Sequence, residues 1–192
     1  MENPAIEIQL HDTLSQPLLS DARALSRASF AAPGRTVEQE TEHRDRFCNM
    51  HDAIKWIVAL DKGAVVGLTI AYRRERELRR RPFVLGGIGD VCVDPRYRRQ
   101  GIASRLVHEA MRALEAAGCD VAYLCAVLEK THLPALYGQA GFVRIPQGHT
   151  FLGASGRRYT DYDGMVAPIR SRELFDAIVR QPEPFDIGEG NW

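Results

Sequence analysis

The sequence carries no net charge: 25 lysines and arginines balance 25 aspartates and glutamates. That balance speaks against a protein built to coat nucleic acid, because neutralising phosphates takes a basic surface. There is no apolar run approaching the ~20 residues that span a bilayer. The start, "MENPAIEIQLHD", lacks the basic-then-apolar order of a secretory signal. No membrane partner is expected, and the cytoplasm is the expected compartment. The four cysteines, Cys48, Cys92, Cys119 and Cys125, form no CxxC pair, so zinc and dithiol motifs are missing. His11, His43, His51, His108, His132 and His149 show no ligand spacing, and no metal is expected. Repeats and low-complexity segments are absent too, and 192 residues suit one domain.

What is present reads as alternating elements. Leu18, Ala22 and Leu25 keep helical spacing behind Pro17. Residues 36–50 are mostly polar and predict a short exposed helix. "IKWIVAL", "DKG" and "AVVGLTIAYRR" read as strand, tight turn and strand. The run from Arg73 to Pro82 holds six arginines and two glutamates on no hydrophobic period. It reads as a solvated hairpin tip, or as a rim facing a charged substrate. "FVLGGIGDVCV" follows as a strand, and its glycines Gly86, Gly87 and Gly89 admit a close neighbour. Cys92 and Cys125 lie in apolar runs and read as small buried hydrophobes.

"GIASRLVHEAMRALEAAG" is the clearest helix, with Ile102, Leu106, Ala110, Ala113, Leu114 and Ala117 as one apolar stripe and Gly118 as its stop. "VAYLCAV" reads as a buried strand. "THLPALYGQAG" reads as a short helix, N-capped by Thr131 and stopped by Gly141. "FVRI" reads as a strand, "RYTDYDGMVAPI" as a hairpin or strand segment, and "SRELFDAIVR" as an amphipathic helix capped by Ser171. The tail "QPEPFDIGEGNW" reads as irregular, the composition of a segment that often stays disordered. The order is that of an α/β fold with a mixed sheet.

The chemistry concentrates at "DPRYRRQGIA", Asp94 to Ala103, between a strand and the strongest helix. A loop entering a helix there aims unpaired N–H groups and the positive end of the helix dipole at whatever lies above. Such a position suits a phosphate. Gly101 lets the backbone approach, Ala103 leaves room, and Arg98 and Arg99 add charge. A basic helix entry without a ligand is the equally weighted alternative.

"VDPRYRRQGIASRLV" resembles the acyl-CoA-binding motif of the GNAT superfamily of N-acetyltransferases, Gln/Arg-x-x-Gly-x-Gly/Ala. "PALYGQAGFVRI" resembles that family's Leu-Tyr-x-x-x-Gly-Phe signature. The likeness covers roughly residues 50 to 146 well, leaving a substrate-side segment and tail over 147–192. It implies a single domain over 1–192 with a mixed, mostly antiparallel sheet, splayed central strands and flanking helices. It also implies acetyl-CoA as co-substrate, and acetyl transfer by direct attack to a primary amine of a small molecule, with a homodimer compatible. Amides of Val91, Cys92 and Val93 would pair with the pantetheine arm, and Val91 would hold the developing oxyanion. Amides from Arg98, Arg99, Gln100, Gly101, Ile102, Ala103 and Ser104 would hold the pyrophosphate, and Tyr137 would protonate the departing thiolate.

The sequence departs from the family pattern at the base. Glycines stand where many members carry a strand glutamate. Asp90 is the nearest acid but falls on the wrong face of a regular strand unless a bulge re-aims it. Glu129 is a second choice. The family's frequent asparagine after the next strand is also missing, with Lys130 or Thr131 near its place. The C-terminus, "DGMVAPI…EPFDIGEGNW", resembles aminoglycoside N-acetyltransferases and nodulation N-acyltransferases. By that resemblance the Trp192 carboxylate, with Asp186 or Glu189 nearby, meets the substrate amine, and an aminosugar becomes one expected acceptor. Asp161 and Asp163 either line the acceptor pocket or serve a turn. A silent CoA-binding module and a longer acyl donor stay open as alternatives. A nucleic-acid module built on the arginines is disfavoured by the zero net charge and by the few aromatics near them.

Overall fold

The computed structural model describes residues 6–47, 50–130 and 132–192, so Cys48 and the expected N-cap Thr131 lie outside the described residues. In chain order the elements are β1 (Glu7–His11), α1 (Leu18–Phe30), α2 (Val37–Arg46), β2 (Ala53–Asp61), β3 (Ala64–Leu78) and β4 (Arg81–Val93). Then come α3 (Ile102–Ala116), β5 (Val121–Cys125), α4 (His132–Gln139), β6 (Val143–Arg144), β7 (His149–Leu152), β8 (Arg158–Asp161), β9 (Gly164–Pro168), α5 (Arg172–Arg180) and β10 (Phe185–Glu189). Local signals account for many of these bounds. Thr36 and Gln39 form a reciprocal capping box on α2. The Ser171 hydroxyl accepts from Leu174 N at the start of α5, and Gly118, at φ 76°, follows the end of α3.

Seven strands form one sheet in the order β1-β2-β3-β4-β5-β9-β6, and β10-β7-β8 form a second. In the large sheet only β4 and β5 run parallel. Alternation along β2 to β5 sends side chains to two cores. On one face Ile57, Ala59, Val66 and Ile88 pack with Ile102, Leu106, Ala110 and Leu114 of α3. On the other, Val58, Leu68, Ile70 and Leu85 pack with α1, α5 and the small sheet through Ala22, Leu174, Phe151 and Phe185. Leu106 and Leu114 are fully buried, which contributes about 1.5–3 kcal/mol each. No helix among the described residues is long and apolar enough to cross a membrane.

Three expectations change. The arginine-rich run is mostly strand, since β3 extends to Leu78 and β4 begins at Arg81, leaving Arg79 and Arg80 as the turn. "RYTDYDGMVAPI" is not a hairpin: β8 pairs with β7, whereas β9 pairs with β5 and β6. The tail is ordered, because β10 pairs in parallel with β7, from Phe185 opposite His149 to Glu189 opposite Leu152.

Glycines in β4 make room on both faces. A Cβ on Gly86 would sit 2.8 Å from Leu114 Cδ1, and one on Gly87 would overlap the Trp192 indole. Gly87→Ala should therefore lower the melting temperature by several degrees, from roughly 1–3 kcal/mol of overpacking. Gly138, within α4, has nothing within 4 Å of its Cβ position. Gly138→Ala should raise the melting temperature slightly, by about 0.4–1 kcal/mol of stability. Thermal unfolding followed by circular dichroism compares the two.

Candidate active site

β4 and β5 pair only at Leu85–Val121, Gly86–Ala122 and Gly87–Tyr123. Beyond that point β4 continues from Ile88 to Val93 with no partner on its β5 side among the described residues, and β5 ends at Cys125. This is the expected splay. Val91, Cys92 and Val93 all lie on the free stretch, where an extended chain can add as a strand. The Cys92 side chain is buried, and burial pushes its thiol up to about 12.

The loop after β4 is built to leave amides exposed. The Asp94 carboxylate caps a short 3-10 turn by accepting from Arg96 N at 2.9 Å, and it also holds the Arg96 guanidinium at 2.7 Å. Arg96 is thus spent inside the loop. Arg98 Nε donates to Val93 O at 3.2 Å. Arg99 and Gly101 take left-handed backbone, at φ 63° and 75°, and Gly101 starts α3 with no side-chain cap and no acid in the first turn. Gln100 is exposed, and the amides through Ala103 and Ser104 open α3. Ile102 is 2 % exposed, so its side chain belongs to the core and only its backbone faces the site. The uncapped helix start and the free β4 edge together fit a pyrophosphate on a pantetheine arm.

Asp90 sits at the bulge that the strand needed. Ile70 pairs with Gly89 and Leu68 with Cys92, so Asp90 and Val91 together face Thr69. Asp90 itself has φ 54°. The extra residue turns its carboxylate towards α1, where Ser26 faces it, and burial raises its pKa above the ordinary carboxylate range. Tyr137, on α4, is 5 % exposed and packs edge-on against Phe142. Burial, with a smaller push from Cys125, takes its phenol up to about 12, so it stays protonated across the neutral range. Glu129 is exposed beyond β5, near Asp163.

Trp192 closes the other side of the splay. Its indole lies over Gly87, and the carbon of its carboxylate, the group singled out in the sequence, is 3.4 Å from where a Gly89 Cβ would be, one residue from Asp90. Tyr72 stacks on it with centroids 5.4 Å apart, and the Arg74 guanidinium covers it at 4.2 Å. Arg74 also donates to Asp52 at 2.6 Å and to Ile187 O at 2.5 Å. Behind the indole, Asn191 Oδ1 accepts from Trp192 N at 3.0 Å and from the Tyr123 hydroxyl at 2.7 Å. With its proton given to Asn191, Tyr123 can only accept from His149 Nε2, 2.7 Å away. That fixes the proton on Nε2 and leaves the buried His149 Nδ1 unpartnered. Burial then lowers the His149 pKa to about 4, so the ring is neutral.

The acetyltransferase (GNAT) domain family matches residues 13–145. The chain belongs to the GNAT acetyltransferase family. It is 34% identical over 87 residues to the N-alpha-acetyltransferase MAK3 of Arabidopsis thaliana, a match covering 45% of this chain and 44% of that protein. The chain thus spans less than half the length of that curated relative. Among solved structures it resembles the GNAT family N-acetyltransferase YhbS of Escherichia coli in complex with CoA, at TM-score 0.60 and 20% identity, covering 98% of this chain and 93% of that one. It also resembles the aminoglycoside acetyltransferase meta-AAC0020 from an uncultured soil metagenomic sample, in complex with trehalose. That match has TM-score 0.53 and 20% identity, covering 70% of this chain and 86% of that one.

In this GNAT the Trp192 indole fills the space that a side chain at Gly87 would need. Two further acids singled out in the sequence, Asp186 and Asp161, are engaged. Asp186 pairs with Arg76 at 2.7 Å and with Arg158 at 3.0 Å. Asp161 pairs with Arg46 at 2.5 Å and accepts from Tyr162 N and Asp163 N, which is the turn reading. Cys125, His149 and Asp161 bring one ligand-type atom each within 4.8 Å of one another. Asp161, however, already serves Arg46 and two amides. Tyr72, Tyr123 and Asn191 were not found by sequence reasoning, because each contact crosses from the large sheet to the tail.

Two measurements follow from this geometry. Gly101→Val forces a β-branched residue into φ 75°. It should weaken acetyl-CoA binding by at least about tenfold in calorimetry, whereas Arg96→Ala should leave binding near native. Asp90 gives a pH effect. Its folded pKa is raised above 3.8, so the folded state holds the proton more tightly and stability falls as pH rises through the folded value. Asp90→Asn should therefore raise the melting temperature at pH 7, with the gain vanishing as pH falls towards the unfolded value.

Proposed function

We propose that this chain, as a single domain, moves an acetyl group from acetyl-CoA to a primary amine of a small molecule by direct attack. The observation that carries the reading is the bulge. It sets a desolvated carboxylate, Asp90, beside Val91 on the stretch of β4 after Gly87, which among the described residues pairs with β3 but not with β5. When bound, acetyl-CoA supplies an activated thioester. The chain supplies the rest. Amides opening α3 hold the diphosphate, and the β4 edge from Val91 to Val93 aligns the arm. Asp90 accepts the proton of an arriving ammonium, which its raised pKa favours. The Val91 amide donates to the acyl carbonyl oxygen. Tyr137, held neutral, gives its proton to the departing sulfur. Glu129, exposed beyond β5, is the second carboxylate candidate for the base. Trp192 acts as the wall that excludes water from the reacting centre.

The likeness of the C-terminal segment to aminoglycoside acetyltransferases, together with the fold likeness to one of them, supports an aminosugar among the acceptors.

Free-thiol detection over a panel of primary amines tests the reading. Acetyl-CoA consumption that requires an amine is expected. Tyr137→Phe should lower kcat about 10–100-fold with acetyl-CoA binding kept. Asp90→Asn should lower kcat/KM and flatten the acid limb of its pH profile, since the native limb reports deprotonation of this carboxyl. Unchanged turnover in either variant would remove that residue from its role.

A further inference from the structure

Beside Asp90 lies a cavity of about 140 Å³ between α1 and the sheet. Its polar lining is Asp90 with Arg23, Ser26 and Arg27, and Met50 and Trp56 supply apolar wall. Arg23, Ser26 and Arg27 stand at i, i+3 and i+4 of α1, hence on one helical face. Ser26 is the side chain of α1 that faces the Asp90 carboxylate across this cavity. The two arginines therefore flank that serine.

Their isolation, shared with the exposed Arg79, Arg80 and Arg99, sets them apart from the arginines that hold the tail and small sheet. Arg46, Arg74 and Arg76 each meet an aspartate. Among the described residues Arg23 and Arg27 make neither an ion pair nor a hydrogen bond. Like charges four apart on a helix repel each other, and the position of Arg27 in the last turn of α1 offsets only part of that repulsion. An anion placed between the two guanidinia would offset the rest, and a planar carboxylate matches their forked donors.

We infer that this cavity is an acceptor subsite for an amine carrying a carboxylate beside it, an α-amino acid, with Arg23 and Arg27 on the carboxylate and Asp90 on the amine. The inference rests on the acetyl-transfer reading above and narrows it. A polycationic aminosugar would meet two uncompensated positive charges at the cavity wall. A peptide N-terminus offers an amide where the arginines offer charge. The apolar wall of Met50 and Trp56 takes a short aliphatic side chain.

The test compares L-alanine and L-methionine with their primary amides and with an aminoglycoside, using native protein and acetyl-CoA. Each amide has the less basic amine, so chemistry alone favours it. The expected result is a kcat/KM for the acids at least about tenfold above that for the amides, the value of one well-formed charged contact. Arg23→Gln and Arg27→Gln should each shrink that ratio several-fold, and Arg27→Glu should invert it. Amides or aminoglycoside used as well as the acids by native protein would overturn the subsite. If no amine is acetylated, the transfer reading fails, and the subsite is then judged by binding. L-methionine should raise the melting temperature of native protein and not of Arg27→Glu, whereas no shift with native protein, or an equal shift with both, would sink it.

Discussion

The parting of β4 from β5 after Gly87 and Tyr123 is the constraint on which the rest depends. A central strand whose edge is abandoned midway leaves backbone donors and acceptors that must find partners. This fold divides that demand. Below the fork, β5 and then β9 continue the sheet. Above it, the β5-side edge from Ile88 to Val93 has no strand partner among the described residues. The bulge opposite Thr69 belongs to the same arrangement. It breaks the ladder where the strand leaves its neighbour, and in doing so it moves Asp90 from one face to the other.

The other wall of the fork is made by arginine. Arg74 and Arg76 of β3 reach across to the tail, to Ile187 O and to Asp186, and Arg74 then lies flat on Trp192. A lysine could carry the charge but could not present a flat face to an indole while donating to a carboxylate and a carbonyl. Arg46 does the same at the other end, pairing with Asp161 while its guanidinium covers Phe151 and Tyr159. Arg74 and Arg76 thus tie the tail to the large sheet, and Arg46 ties α2 to the small sheet.

Periodic and local features were legible in the sequence: the α3 stripe, the Ser171 cap, and the left-handed Gly101 at the helix entry. So were the two motifs that placed Tyr137 and the β4 edge. What escaped was non-local. The strand nature of Arg73–Leu78 was hidden because its hairpin partner is glycine-rich β4 and its buried arginines look solvated until Asp52 and the tail are in place. β7 and β10 were hidden because four or five residues without clean alternation are no signal alone, and their pairing spans more than thirty residues. The Asp163-Gly164 pair looked like a turn, yet Gly164 opens β9. There its missing side chain admits the His149 ring, whose Nδ1 lies 2.6 Å from a hypothetical Cβ.

Asp90 shows how the site sets stability against chemistry. A buried carboxylate faced by a serine is a poor choice for folding, because desolvation favours its neutral form. An arginine salt bridge would remove that cost, and the protein has arginines on α1 near enough to line the same cavity. They are not paired with Asp90 among the described residues. Pairing would pull its pKa down and leave a carboxylate too weak to take a proton from an ammonium. On the proposed reading, keeping that carboxylate and the two guanidinia apart leaves a carboxyl able to accept a proton and positive charges open to a substrate anion.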